Sequence, residues 1–263
     1  MTRRQLDSAK LPDNASRIFT TVDGASINGH HLSRLQSNEQ IHDVVVGAYL
    51  KILAASKPET TRSFDTQFIH KLHNDTHQQI DHMFRMRRTN TKKDILAYDT
   101  LLLPVQKPGH FVLIVVQPRQ HSINVFDSLR PDNNHTQEVE SLRQYLLHVA
   151  GDRPEYQQWT VDHVAARDMV KQQGGVHCGI YVCMIAHCIL TGLPISLLTP
   201  DNISSCRQHI AQCLLDNTVQ LMTQNNVVLS TNTGTPATSE ECKGDEEDNP
   251  HIQMDTDQDD TPP

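Results

Sequence analysis

QQGGVHCGIYVCMIAHCIL, residues Gln172 to Leu190, decides the fold: two glycines, a cysteine, and then an apolar run long enough for a buried helix whose first residue is Cys178. A cysteine in that position faces the unpaired amides and the positive end of the helix dipole, which favour the thiolate and lower the thiol pKa. Gly174 and Gly175 precede it and Gly179 follows. Glycine there lets another chain come close to the backbone and leaves amide donors uncovered, as an oxyanion site needs. Alone, a cysteine opening an apolar helix is most often a small core residue. The catalytic reading therefore depends on finding its partners.

Those partners lie upstream. ILAYDTLLLPV from Ile95, HFVLIVVQP from His110 and SINVFDSL from Ser122 are three short β-rich runs parted by the turn signals KPG and PRQ. The middle run is apolar on both faces, as a central strand must be. His110 opens that strand, and Asp127 ends the next one. In an antiparallel hairpin the start of one strand lies beside the end of its neighbour, so the two side chains can meet at one sheet edge as a base and its orienting group. SNEQIHDVVVGAYLKILAAS, with capping candidates Ser37 and Asn38, repeats Ile41, Val44, Val45, Ala48 and Ile52 at helical spacing. EVESLRQYLLHVA places Val139, Leu142, Leu146 and Val149 on one helical stripe, QQWTVDHV reads as a further strand with Trp159 in the core, and a last helix is expected over about Ile203 to Met222. The order of elements is that of an α+β domain with a central, mostly antiparallel sheet flanked by helices.

Composition excludes several classes. The chain has 263 residues, 37% hydrophobic and 21% charged, and no apolar run of membrane-spanning length. Its N-terminus lacks a secretory signal pattern. Its net charge is −8, but residues 239–263 carry ten acidic residues against Lys243, a charge of −9, so the remainder sums to about +1. Such a body makes no electrostatic bid for nucleic acid. The acidic tail has almost nothing to bury, and residues 227–263 are expected to be disordered. The basic run Arg85, Arg87, Arg88, Lys92 and Lys93 reads as a solvated loop to which that tail could dock. Six cysteines without a CxxC pair read as thiols in a reducing compartment, so nucleus or cytoplasm is expected.

GHFVLIVV from Gly109, Asp127 in FDS seventeen residues after His110, and QQGGVHCGIYVCM together resemble the ubiquitin-like-protein protease family, which includes the SUMO proteases and is related to adenain. The resemblance implies a papain-like cysteine protease fold with Cys178 as nucleophile, His110 as general base and Asp127 orienting the histidine. It places the family's oxyanion glutamine on Gln172, six residues before the Cys-Gly pair, rather than on Gln173. QIHDVVVGAYL is similar to the family's substrate-side helix and puts Asp43 on its aspartate. Phe111 and Gln40 stand where the family usually has tryptophans that clamp a Gly-Gly tail, so Phe111 keeps one wall and Gln40 gives up the other. His177 stands where the family commonly has Asp. Gly175 is a candidate for close substrate approach.

Rival readings are weaker. His73/His77 and Cys183/His187 have helical spacing for two metal ligands each, but neither pair has an evident third. An effector-type acyltransferase shares the His, acid, Cys order, and a binding module for a ubiquitin-like protein could keep the fold without activity. The resulting expectation is a polar arm over residues 1–26, a catalytic domain over 27–226 and the tail over 227–263. It is a monomeric enzyme acting without cofactor or metal on a ubiquitin-like protein and its conjugates, most of all SUMO, with no nucleic-acid or membrane partner.

Overall fold

The computed structural model describes residues 14–83, 94–131, 133–164, 171–220 and 222. The fold starts earlier than the expected arm allows. β1 (Ile18–Val22) and β2 (Ala25–Asn28) form an antiparallel hairpin closed by Asp23 and Gly24, both at positive φ. Val22 is buried in the main core while its neighbours are largely exposed, so only pairing with β2 reveals the strand. α1 (Gly29–Gln36) follows at once, capped by Asn28, whose side chain accepts from the His31 amide at 3.1 Å.

α2 (Asp43–Ala55) begins later than Ser37 and Asn38 suggest, because Ser37 closes α1 instead of opening α2. Val45, Val46, Ala48, Tyr49, Leu50, Ile52 and Leu53 are all buried, which makes α2 a helix covered on most sides. Beyond it come β3 (Thr61–Ser63), α3 (Phe68–Asn74) and α4 (His77–Met83). Sequence periodicity blurs over these short elements. His73 and His77 therefore sit on different helices rather than on one face.

β4 (Thr100–Lys107), β5 (His110–Gln117), β6 (Ser122–Phe126) and β7 (Thr160–His163) complete a five-stranded sheet in the order β3-β4-β5-β6-β7. The β4–β5 and β5–β6 pairs are antiparallel, and the edge strands β3 and β7 pair parallel with their neighbours. On β5, Phe111, Leu113 and Val115 enter one core, with α2, α6 (Cys178–Thr191) and α7 (Ile203–Asp216). Val112, Ile114 and Val116 enter the other, with α3, α4 and α5 (Thr136–Ala150). Each such side chain adds roughly 1.5–3 kcal/mol on burial, so β5 is a rigid support for whatever stands at its end.

Trp159 lies just ahead of β7, half-buried against Tyr156, and is not a strand residue. α7 stops at Asp216 because Asn217 takes a left-handed φ of 49°, which ends the helix short of Met222. The basic run over residues 85–93 and the tail over 227–263 lie outside the described residues. Among the described residues no helix is long and apolar enough to cross a membrane.

Candidate active site

Cys178 is the first residue of α6, and no side chain caps that helix, so the dipole end is left to the sulfur. The thiol is buried. It takes a hydrogen bond from the Phe111 backbone amide, and Gln40 Nε2 lies 3.7 Å from Sγ. His110 opens β5, paired with Lys107 across the KPG turn. The register that sets Leu113 opposite Phe126 carries His110 toward the residue after β6, Asp127.

His110 Nε2 and Asp127 Oδ1 are 2.8 Å apart. The other ring nitrogen, Nδ1, is buried without an aligned partner. It is the nitrogen left for Cys178, which is close enough for the two groups to shift each other's ionisation. Apo catalytic hydrogen bonds are often misaligned in this way and tighten with substrate.

Burial disfavours the His110 imidazolium, but the hydrogen bonds to Asp127 and Cys178 outweigh it and push the group up to about 9. Burial likewise disfavours the Cys178 thiolate. The His110 hydrogen bond, the Phe111 amide and Gln40 together overcome it and hold the thiol below its ordinary value. Asp127 is held well below the carboxylate range: burial opposes ionisation, and the bonds from His110, His135 and the Arg130 amide prevail. These shifts favour a thiolate beside an imidazolium, the reactive state of a cysteine nucleophile.

Gln172 is buried and fixed at three points. Its backbone N–H donates to Ser128 O at 2.9 Å, its Oε1 accepts from Ser128 Oγ at 2.6 Å, and its Nε2 donates to Gly174 O at 2.7 Å. The amide is thus oriented by the residue after Asp127 but engaged with a loop carbonyl. Beside His110, the side-chain donor placed on the sulfur is that of Gln40. The Phe111 ring is 3% exposed and belongs to the core, so Phe111 gives the site its amide more than an aromatic wall. A side chain added at Gly175 would meet nothing within 4 Å, so open space borders the backbone there. Asp43 stands at the first position of α2, beside His31 and His42.

Three residues that sequence reasoning passed over hold this arrangement. His135 Nε2 lies 2.9 Å from Asp127 Oδ2. Ser128 sets the Gln172 amide. Arg207, 4% exposed, donates to Arg34 O at 2.9 Å and Glu39 O at 2.7 Å and lies 3.2 Å from His177 Nδ1, tying the segment that carries Gln40 to the residue before Cys178. A lone arginine among Ile203, Cys206, Ile210 and Leu214 was a legible signal for this. His135, in a polar loop, offered none. Cys183 and His187 share α6, but His187 Nδ1 sits 3.0 Å from Tyr49 Oη inside the core. Among the described residues no three His, Cys, Asp or Glu side chains form a metal-binding group.

A sentrin-specific protease of Caenorhabditis elegans is 25% identical over 179 residues, covering 65% of this chain and 24% of the relative. The chain thus spans about a quarter of that relative's length. Among solved structures, the C-terminal Ulp1 protease domain in complex with Smt3, the yeast ortholog of SUMO, superposes with a TM-score of 0.70 at 20% identity, covering 82% of this chain and 96% of that one. The Chaetomium thermophilum Ulp1-like SUMO protease catalytic domain gives 0.65 at 20% identity, with 82% and 88% covered. These likenesses establish the fold. Residues 39–218 match the family described as Ulp1 protease family, C-terminal catalytic domain, and on that match the chain belongs to the Ulp1 protease family.

Proposed function

We propose that this chain is a cysteine isopeptidase or maturation protease that cleaves after the C-terminal glycines of a ubiquitin-like modifier, with SUMO the first substrate to try. The observation that carries the reading is the convergence of Cys178, His110 and Asp127 from a helix start, a strand start and a strand end, with their ionisation shifted toward thiolate, imidazolium and carboxylate. In this mechanism Sγ attacks the glycine carbonyl carbon, and the new oxyanion is held by the Cys178 amide and by Gln172 Nε2 once it leaves Gly174 O. The C–N bond breaks as the His110 imidazolium gives its proton to the leaving amine. Water, deprotonated by His110, then hydrolyses the thioester and returns the thiol. Asp127 keeps the imidazole turned toward the sulfur. The complex of the yeast domain with Smt3 supports SUMO as substrate. Among the described residues, five buried free cysteines support a reducing compartment, nucleus or cytoplasm, as the place of action.

The test is incubation with a panel of ubiquitin-like proteins bearing a C-terminal electrophile, beside Cys178→Ala. A covalent adduct with SUMO that the variant cannot form is expected. No adduct with any member, from folded protein, would replace this reading by an acyltransferase or an inactive binding module.

A further inference from the structure

Asp127 is shared between two histidines. Oδ1 takes His110 Nε2 at 2.8 Å together with the amides of Leu129 and Arg130 at 2.9 and 2.8 Å, while Oδ2 takes His135 Nε2 at 2.9 Å. The His135 side chain is 1% exposed. On its far side, Nδ1 lies 3.0 Å from Lys107 Nζ, which is also paired with Glu138 at 2.7 Å. An ammonium donates and cannot accept, so Nδ1 must be the unprotonated nitrogen and Nε2 must carry the hydrogen that Asp127 receives. Lys107 thereby fixes the tautomer of His135. It is also the strand partner of His110 across the KPG turn. Lys107, His135, Asp127 and His110 therefore form a ring of contacts closed by that turn.

The backbone points the same way. His135 directly precedes α5 at a left-handed φ of 45° and makes no side-chain cap on that helix. A histidine there gives up the usual capping bond and takes an unfavourable backbone conformation, a cost that persists only where surrounding contacts impose it. What it obtains is the bond to Asp127.

We propose that His135, with its tautomer set by Lys107, is a positioning residue that fixes the plane of the Asp127 carboxylate and through it the aim of His110 at Cys178. Three donors hold Oδ1, but a carboxylate held at one oxygen still turns about it. The bond to Oδ2 removes that freedom. Without it Oδ2 would be buried and unsatisfied, and Asp127 would turn toward water. This inference rests on the protease reading of the site, so its test includes a readout that needs no substrate.

The full chain and its His135→Leu, His135→Gln and Lys107→Met variants are compared in three measurements. These are the rate of Cys178 alkylation by iodoacetamide near neutral pH, followed on the Cys178 peptide; kcat and KM on a ubiquitin-like protein with a C-terminal fluorogenic amide; and the thermal midpoint. His135→Leu is expected to slow alkylation and lower kcat by up to about tenfold, the most that one pKa unit changes the thiolate population, with KM little altered. His135→Gln, whose Nε2 can donate from nearly the same place, is expected to recover most of both. Lys107→Met, which leaves the tautomer unset, should fall between them. Equal alkylation and kcat in parent and His135→Leu overturn the inference. So do equal losses in Leu and Gln variants that track the thermal midpoint, since His135 would then be structural only. A parent that forms no Cys178-dependent adduct with any ubiquitin-like probe and shows no turnover of the fluorogenic amide sinks the protease reading and this inference with it.

Discussion

Cys178 and His110 move each other's ionisation in opposite directions, which fixes a pH window. His110 keeps its proton up to about 9 and Cys178 loses its own below the ordinary thiol value, so the ion pair fills the range between. The kcat/KM profile should therefore rise along an acid limb set by Cys178, below the ordinary thiol value, and fall near pH 9 as His110 loses its proton. Asp127→Asn removes what raises His110 and leaves the burial that lowers it, so the alkaline limb should move to lower pH. The rate should drop by about a hundredfold, short of the ~10⁴ seen when a serine-protease aspartate is lost, because a thiolate needs less help from a base. An unmoved limb in that variant would remove Asp127 from the mechanism. Gln40 acts on the other side of the sulfur. One hydrogen bond contributes roughly 0.5–1.5 kcal/mol net, so Gln40→Ala should raise the acid limb and cost about two- to tenfold in kcat/KM along that limb. A variant with the parental profile would show that the 3.7 Å contact does nothing for the thiolate.

The elements bring these residues together through one close contact. α6 meets the segment ahead of α2 at Gly179, where an added Cβ would lie 2.7 Å from Ile41 Cγ1 and 3.3 Å from Val46 Cγ2. Ile41 and Val46 are both buried side chains of the core. Alanine would gain about 1 kcal/mol of helix propensity and lose roughly 1–3 kcal/mol to overpacking, so Gly179→Ala should destabilise by up to about 2 kcal/mol. Because Gln40 is the neighbour of Ile41, activity should fall further than stability alone explains. A denaturation midpoint equal to the parent's would show that the interface yields. This contact also marks how far the sequence could be read. β4, β5, β6, α5 and α6 are long and strongly patterned, and His110, Asp127 and Cys178 stand at their ends, where strand and turn rules place them. β1, β3, α3 and α4 are short, and their buried residues make sense only against a partner, as Val22 does against Ala25. Gln40 reads as a lost tryptophan until α6 is set beside it, and only then does its amide reach the sulfur.

For the whole molecule, the buried histidines set stability against pH independently of the catalytic pair. Burial pushes His187 down to about 4, and burial with the nearby His187 does the same to His209, while both would titrate near 6.5 when unfolded. Their folded values are depressed, so the unfolded chain binds more protons between pH 6.5 and 4, and stability must fall as pH falls through that range. The ceiling is ~3 kcal/mol for each, less for the more exposed His209. His31, His42, His77, His163 and His177 are lowered as well and add smaller contributions of the same sign. His110 does not oppose this slope. Its raised value gives stability that is complete below 6.5 and is lost only as pH rises through about 9. Asp127 does not contribute to it either, since its carboxylate begins to matter only near the unfolded value of 3.8 and below. Stability should thus fall on the acid side of pH 6.5, while above it the proton that His110 keeps is opposed by the one that Cys178 gives up, and the pair costs stability only as His110 titrates near 9. Urea midpoints measured from pH 4 to 9 should show the acid-side fall, and His187→Gln with His209→Gln should flatten it while leaving the alkaline side unchanged. A parental curve that is level from 6.5 to 4 would mean that both histidines find protons, and therefore water, inside the folded core.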